Sequence, residues 1–304
     1  AKVGDHALGA LIQTLLAAEQ ADATLAIDSQ SSTSYSIVVA LPHQDRAFWH
    51  NAGANERFSQ ADVPDALLDG ASLFHFGYPP LMLRLCQNGG AELLTLFKRV
   101  KARGLMLSLD MAAVDPNAEA AQTDWPALLA MALPMVDFFL PSAEELCFML
   151  DKPRYADWLE RASERDVTAV LDIQADIAPL AAQLIDMGAK VAVVKCGARG
   201  LYYQTADAHA LRASALPLDP TEWASKLGFV PAYRPGRVVS ATGAGDTSIA
   251  AFLASMLEGL PLLRCVQRAA ATGACCVEAY DALSSLKPLS EIDTLLTAGW
   301  PINP

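Results

Sequence analysis

Short apolar runs recur along this chain, separated by segments with helical periodicity. Leu73 to Phe76, Leu105 to Leu109, Val136 to Leu140 and Val191 to Lys195 each read as a buried strand, since a compact apolar run suits a strand covered on both faces. The stretches between them repeat apolar positions every three or four residues, as helices packed on one side do. This alternation predicts βαβ units, hence an α/β fold with a doubly wound, mostly parallel sheet and helices on both faces.

Two segments break the rhythm. Ser34 to Ala40 and Arg46 to His50 flank the turn-forming cluster Pro42-His43-Gln44-Asp45, a pattern that predicts a β-hairpin. Standing apart from the α/β pattern, the hairpin is expected to be a small flap over a site, spanning about 33–52. Ala213 to Arg237 is rich in proline and glycine and lacks sustained periodicity, so a long loop is expected there. Two further helices, roughly Thr247 to Glu258 and Pro261 to Ala279, are joined through Gly259-Leu260-Pro261.

Composition narrows the picture. With 304 residues, 53% hydrophobic and 18% charged, the chain can bury a sizeable core as one large α/β domain. A net charge of -12 disfavours nucleic acid or an anionic membrane as partner, because either calls for clustered Lys and Arg. The six cysteines, at 86, 147, 196, 265, 275 and 276, form no CxxC pair and suit buried thiols in a reducing cytoplasm. The longest apolar stretch, Pro126 to Ala143, is interrupted by Pro134, Asp137 and Pro141, and no charged-then-apolar leader is visible. A cytoplasmic location is expected.

The most informative chemistry is Thr242-Gly243-Ala244-Gly245-Asp246, followed by the apolar run Ile249 to Ala254. A small-residue turn opening a helix presents unpaired N–H groups and the positive end of the helix dipole, which together hold an anion. A carboxylate beside an anion site needs a task, and accepting a proton from a hydroxyl that attacks a phosphate is one. Glycines that reverse the chain, and an acidic residue in a first helical turn, would also explain the pattern. Val238-Val239 reads as a strand end before the turn.

Other constellations carry the same two readings. Lys195-Cys196-Gly197-Ala198-Arg199-Gly200 lies between apolar runs as strand, tight turn, strand, either an ordinary hairpin or a place where a nucleotide approaches the backbone. Ser142-Ala143-Glu144-Glu145 fits a helix capping box, or brings Glu145 through water to a phosphate-bound magnesium ion. Asn51 and Asn55 follow the second hairpin strand, and Asp110 follows an apolar run where active-site residues and turns both occur. With Tyr78, these residues are candidates for reading substrate hydroxyls.

Together these segments resemble the ribokinase-like (PfkB) family of carbohydrate kinases over essentially the whole chain. The most specific match is Ser240 to Leu253, similar to that family's C-terminal signature. Val3-Gly4-Asp5 with Leu8-Gly9, the hairpin running to Gly53-Ala54-Asn55, Ser142 to Glu145 and Lys195 to Gly200 follow in the family's order. The resemblance implies a three-layer ribokinase-like fold with a β lid, ATP and Mg2+ as cofactors, a small sugar as substrate, and a homodimer formed through the lids. It further implies Asp246 as catalytic base, Gly243, Ala244 and Gly245 as anion hole, and Glu145 linked to magnesium through water. Thr242, Lys195, Gly197 and Gly200 would line the ATP site, with Ala271 to Gly273 near the adenine.

Three departures qualify the match. Ser142 replaces the usual asparagine of the motif, and Ser240-Ala241 stands where the family often has Asp-Thr, which weakens the case for a monovalent-cation site. A strand, a sugar-binding aspartate and a glycine pair usually precede the segment matching Val3-Gly4-Asp5. Either the sequence lacks an N-terminal portion or this member has lost it, and the exposed sheet edge that a lost strand would leave makes the first the expectation. The expected reaction is ATP-dependent phosphorylation of a primary hydroxyl on a sugar or sugar-like substrate. A nucleoside kinase, or a non-catalytic sugar or nucleotide binder on the same fold, remains the alternative. A Rossmann-type oxidoreductase is disfavoured because no GxGxxG follows a first strand.

Overall fold

A computed structural model describes residues 1–39, 47–163, 165–214 and 216–303. The chain divides into two units, Ala1–Met135 and Val136–Pro304. In the first, β1 (Lys2–Gly4) and β2 (Ala26–Asp28) pair in parallel, joined by α1 (Ala7–Ala18). Next, β3 (Tyr35–Val39) and β4 (Ala47–Asn51) form an antiparallel hairpin with Tyr35 opposite Asn51. The turn expected at Pro42 to Asp45 lies outside the described residues.

The strand β5 (Leu73–Phe76) connects through α2 (Leu83–Ala102) to a parallel neighbour, β6 (Met106–Leu109), with Leu73 opposite Met106. Every residue of β6 is buried, Ser108 included, as its position under a crossover helix requires. Leu93, Leu96, Phe97 and Val100 recur at helical spacing on α2 and are buried, with Phe97 meeting Phe76 edge-on at 6.1 Å between ring centroids. This helix is broken at Gln87–Gly90, where Asn88, Gly89 and Gly90 adopt positive φ. The unit ends with α3 (Trp125–Ala132), capped by Asp124, whose carboxylate accepts the Ala127 N–H.

The second unit opens with β7 (Phe138–Phe139), α4 (Ala143–Leu150), α5 (Lys152–Ala162) and α6 (Ala178–Asp186). The strand β8 (Val191–Lys195) runs parallel to β7, and β9 (Gly200–Thr205) returns antiparallel to it. The expected run Val136 to Leu140 contributes only its central pair of residues to a strand.

The segment 213–237, expected to be a loop, contains two elements. Here α7 (Ala208–Ala213) is followed by α8 (Pro220–Trp223) and by β10 (Leu227–Pro231), antiparallel to β9. Asp219 caps α8, and Trp223 is buried against Phe138 and Phe252 in a triad of edge-to-face rings at 6.1–6.4 Å. A four-residue helix is too short to show periodicity, and Thr205 fixes the turn after it by accepting the Lys226 N–H at 2.9 Å. Val238-Val239 is likewise not a strand end: Val238 is exposed, and Val239 donates its N–H to the Val277 carbonyl at 2.7 Å.

Three helices complete the unit: α9 (Ala244–Leu257), α10 (Leu262–Cys276) and α11 (Leu289–Thr297). The pair α9 and α10 packs so closely that a Cβ on Gly273 would lie 2.6 Å from Ser248 Oγ. The first turn of α9 is thereby anchored.

Candidate active site

Gly243 is the residue before α9, and its φ of +82° lies in the left-handed region that favours glycine. An added Cβ would also lie 2.3 Å from the Ala282 Cβ, so the turn has no room for a side chain. Ser240 Oγ accepts the Thr242 N–H at 3.2 Å just upstream. Thr247 and Ser248 return their hydroxyls to carbonyls of the same turn, at 3.0 Å to Gly243 and 2.7 Å to Ala244.

The N–H groups of this turn are not equivalent. Ala244 donates to the Ala241 carbonyl at 3.3 Å, while the Gly245 N–H has no partner among the described residues. Asp246 occupies the third helical position, is exposed, and stands one residue beyond that amide. The aliphatic end of Lys195 passes beside Gly245, with Cδ and Cε 3.6 Å and Nζ 3.8 Å from the place a Cβ would take. A helix N-terminus, a lysine and a carboxylate thus converge on one small patch, where an anion is attracted and a proton acceptor stands beside it.

Lys195 ends β8, and its N–H donates to the Pro141 carbonyl at 2.9 Å, which brings Ser142 to Glu145 alongside. Ser142 and Glu145 form the expected capping box: Glu145 Oε2 accepts the Ser142 N–H at 2.7 Å, and Ser142 Oγ accepts the Glu145 N–H at 3.3 Å. The second carboxylate oxygen, Oε1, takes no part in the cap.

The glycines of the β8–β9 turn are required by the protein's own packing. Gly197 has φ +54° and faces Thr168 Oγ1, 2.5 Å from a would-be Cβ; Gly200 has φ +130° and faces the Val230 carbonyl at 2.2 Å. Gly197 is exposed and Gly200 buried, so only the first offers its backbone to a ligand. Ala271 is fully buried in a cluster with Cys275 and Ile292, the latter on α11. Gly273 is consumed by the contact with Ser248.

In the first unit, Tyr78 donates its backbone N–H to the Asp110 carbonyl at 3.3 Å, while Asp110 donates its own to Phe76 at 3.0 Å. Tyr78 has φ +64°, a conformation unusual for a bulky residue and found where function tolerates strain. Asp110 is buried at the end of β6. Asn51 Nδ2 donates to Ser32 Oγ at 2.9 Å, and Asn55 lies in the 3-10 turn Gly53–Arg57 that continues from β4.

Several neighbours of the turn gave no sequence signal. Cys276 and Ala282 back onto it, and Asn303 reaches Ala198 of the β8–β9 turn at 3.1 Å. Only their chain separation of 34 to 105 residues from their partners hides them, since each is an ordinary residue in its local sequence. No group of three His, Cys, Asp or Glu side chains suited to a metal ion occurs among the described residues. Magnesium carried on phosphates needs no such cage, because it retains waters and takes one or two carboxylates.

Fold and turn together define an α/β protein with a glycine-rich helix start beside a lysine and a carboxylate. The chain belongs to the pfkB family carbohydrate kinases, whose sequence model matches residues 1–288. It is therefore a carbohydrate kinase, with the ribokinase-like α/β fold built on a central, mostly parallel sheet. Among solved structures, one described as ribokinase II from E. coli, in its apo form, superposes with a TM-score of 0.70 at 23% identity, covering 98% of this chain and 82% of that one. Arabidopsis thaliana ribokinase complexed with ribose and ATP gives 0.67 at 19% identity, with 97% and 80% covered. Fructokinase from Xylella fastidiosa, with bound ATP, gives 0.67 at 20% identity, with 98% and 84% covered.

Proposed function

We propose that this kinase transfers the γ-phosphoryl group of ATP to a primary hydroxyl of a sugar or sugar-like acceptor. The observation that carries the reading is the convergence of the Gly245 N–H, which has no partner among the described residues, the Lys195 side chain and the exposed Asp246 on the first turn of α9. When bound, ATP supplies the phosphoryl group, and magnesium offsets the negative charge of the phosphates.

Asp246 orients the acceptor hydroxyl and takes its proton as the oxygen attacks. The Gly245 N–H, the helix dipole and Lys195 stabilise negative charge on the anion they face. Glu145, committed to its cap through one oxygen, has Oε1 left for a magnesium-bound water. Asn51, Asn55, Tyr78 and Asp110 read acceptor hydroxyls on the first unit, and the β3–β4 hairpin serves as a lid that excludes water. Pairing of two such lids gives a homodimer.

An ATP-consumption screen over sugars, deoxy sugar acids and nucleosides tests the reading. Asp246→Asn is expected to lower turnover by a factor of roughly 100 to 10,000, with nucleotide affinity nearly intact. Undiminished turnover in that variant removes Asp246 from the mechanism. Nucleotide or sugar binding without turnover across the panel would instead identify a non-catalytic binder.

A further inference from the structure

Cys276 closes α10 directly behind the turn that carries Asp246. Its side chain is fully buried, and Sγ lies 3.6 Å from the Thr242 carbonyl oxygen and 3.6 Å from that of Ala282. These carbonyls belong to different segments. Thr242 opens the catalytic turn, whereas Ala282 lies in the stretch that leaves α10 toward α11.

The two segments also touch where Gly243 meets Ala282, and a Cβ on Gly243 would lie 3.8 Å from Cys276 Sγ. Thr247, one residue past Asp246, lies beside the same thiol. One sulfur therefore contacts the residue before the anion-binding glycine, the residue after the proposed base, and the segment packed against both. No other side chain named at this turn joins all three.

Burial raises the Cys276 thiol above its ordinary range, and the negative charge of Asp246 adds to the effect. The group is accordingly a neutral S–H at physiological pH. A thiol is a weak donor with a single proton, which the two carbonyls share. Without it, the carbonyls of Thr242 and Ala282 lose that common partner, and the 239–243 stretch remains held to the 277–286 segment by the Val239 and Ser240 N–H bonds to the Val277 carbonyl and by the Gly243–Ala282 contact.

We propose that Cys276 is a positioning residue for phosphoryl transfer: its S–H ties the Thr242 carbonyl to the 277–286 segment and so fixes the direction of the Gly245 N–H and the Asp246 carboxylate. The proposal rests on the reading of Asp246 as the base. The effect is one of geometry, and small displacements of a reacting group carry large rate penalties.

Cys276→Ala removes the donor, and Cys276→Ser keeps a hydroxyl in its place. Amide hydrogen exchange is followed at residues 241–247 in the wild type and both variants, alongside steady-state kinetics with ATP and the best acceptor from the screen. Cys276→Ala is expected to speed exchange at 242–246 by about tenfold while leaving α6 unchanged. The same variant should lower kcat by roughly tenfold to a hundredfold, with the acceptor KM held within about twofold.

Cys276→Ser should recover most of the lost kcat and of the protection. Unaltered exchange at 242–246 in Cys276→Ala overturns the proposal. So does an equal kcat loss in both variants that merely follows their melting temperatures. Should Cys276→Ala fail to fold, wild-type exchange and kcat in Cys276→Ser support the tie, and loss of both in a folded Cys276→Ser refutes it. Exchange needs no substrate, so a wild type that turns over no acceptor counts against the kinase reading and leaves the test of the tie standing.

Discussion

Gly245 and Gly243 are two residues apart and answer to different constraints. Gly243 is fixed by its positive φ and by Ala282, so any side chain there disrupts the fold. Gly245 has ordinary helical geometry, and a Cβ would meet Lys195 only at normal contact distance. On the proposed reading, the added methyl would stand beside an amide that faces the anion. Gly245→Ala should leave stability unchanged or raise it by up to about 1 kcal/mol, because alanine favours helix. Turnover should fall at least about tenfold, as when one anion-stabilising donor is blocked. A thermal melt and a coupled ADP-release assay, run on the same preparation, separate the two effects.

At the level of elements, the break inside α2 gives a sharper test of packing. Gly90 has φ +76°, and a Cβ would lie 2.1 Å from Cδ1 of Leu128, which is itself buried. Gly90→Ala is expected to cost about 1–3 kcal/mol in a denaturant titration, through combined strain and displacement of Leu128. The π-type turn Ile173–Ile177 is tied to α5 by Asp176, which accepts from Arg161 at 2.7 Å, from the Trp158 indole at 3.0 Å and from the Asp172 N–H at 2.8 Å. Burial alone would raise the Asp176 carboxyl, but the hydrogen bonds and the Arg161 charge outweigh it and hold the group below the usual carboxylate range. Its contribution to stability is therefore complete above its unfolded value of about 3.9 and is lost as pH falls through the lower folded value. Asp176→Asn should cost roughly 1–3 kcal/mol near neutrality and flatten the acid limb of a stability-versus-pH curve. An unchanged acid limb would remove this carboxylate from the acid transition.

The elements also show what sequence can and cannot reveal. β5, β6, β8 and α9 were legible because each is long enough to show an apolar run or a period, and the glycine-aspartate turn because only small residues permit it. α8 and β10 were hidden. Their stability comes from Trp223 meeting Phe138 and Phe252, partners 85 and 29 residues away, and from β9 offering its free edge. Val238-Val239 misled for the converse reason, since two β-branched residues without a strand partner form only a bend, with Val238 exposed and Val239 half-buried. At the site, Asp246, Lys195 and the capping box could be read locally. Cys276 could not, because its role exists only when α10 has folded back onto the start of α9.

For the molecule as a whole, all six cysteines are buried and free, and burial pushes Cys86, Cys147, Cys196 and Cys265 up to about 12. A thiol reagent at neutral pH should react slowly with the native protein and with all six sites once it is denatured. The rate of labelling then reports opening of the structure, and rapid native labelling of several thiols would contradict the packing described. With a net charge of -12, the proposed phosphate site relies on local positive potential, at Lys195 and the α9 terminus.

The second unit's strand order ends at β10, where Pro231 has no N–H to offer and, just beyond it, Arg234 and Asn303 bond the tail 301–303 back onto the segment 232–234. A sheet border closed by a proline and a returning tail is a poor template for another chain to extend. The protein thus carries at this border a built-in barrier to edge-to-edge growth into fibres.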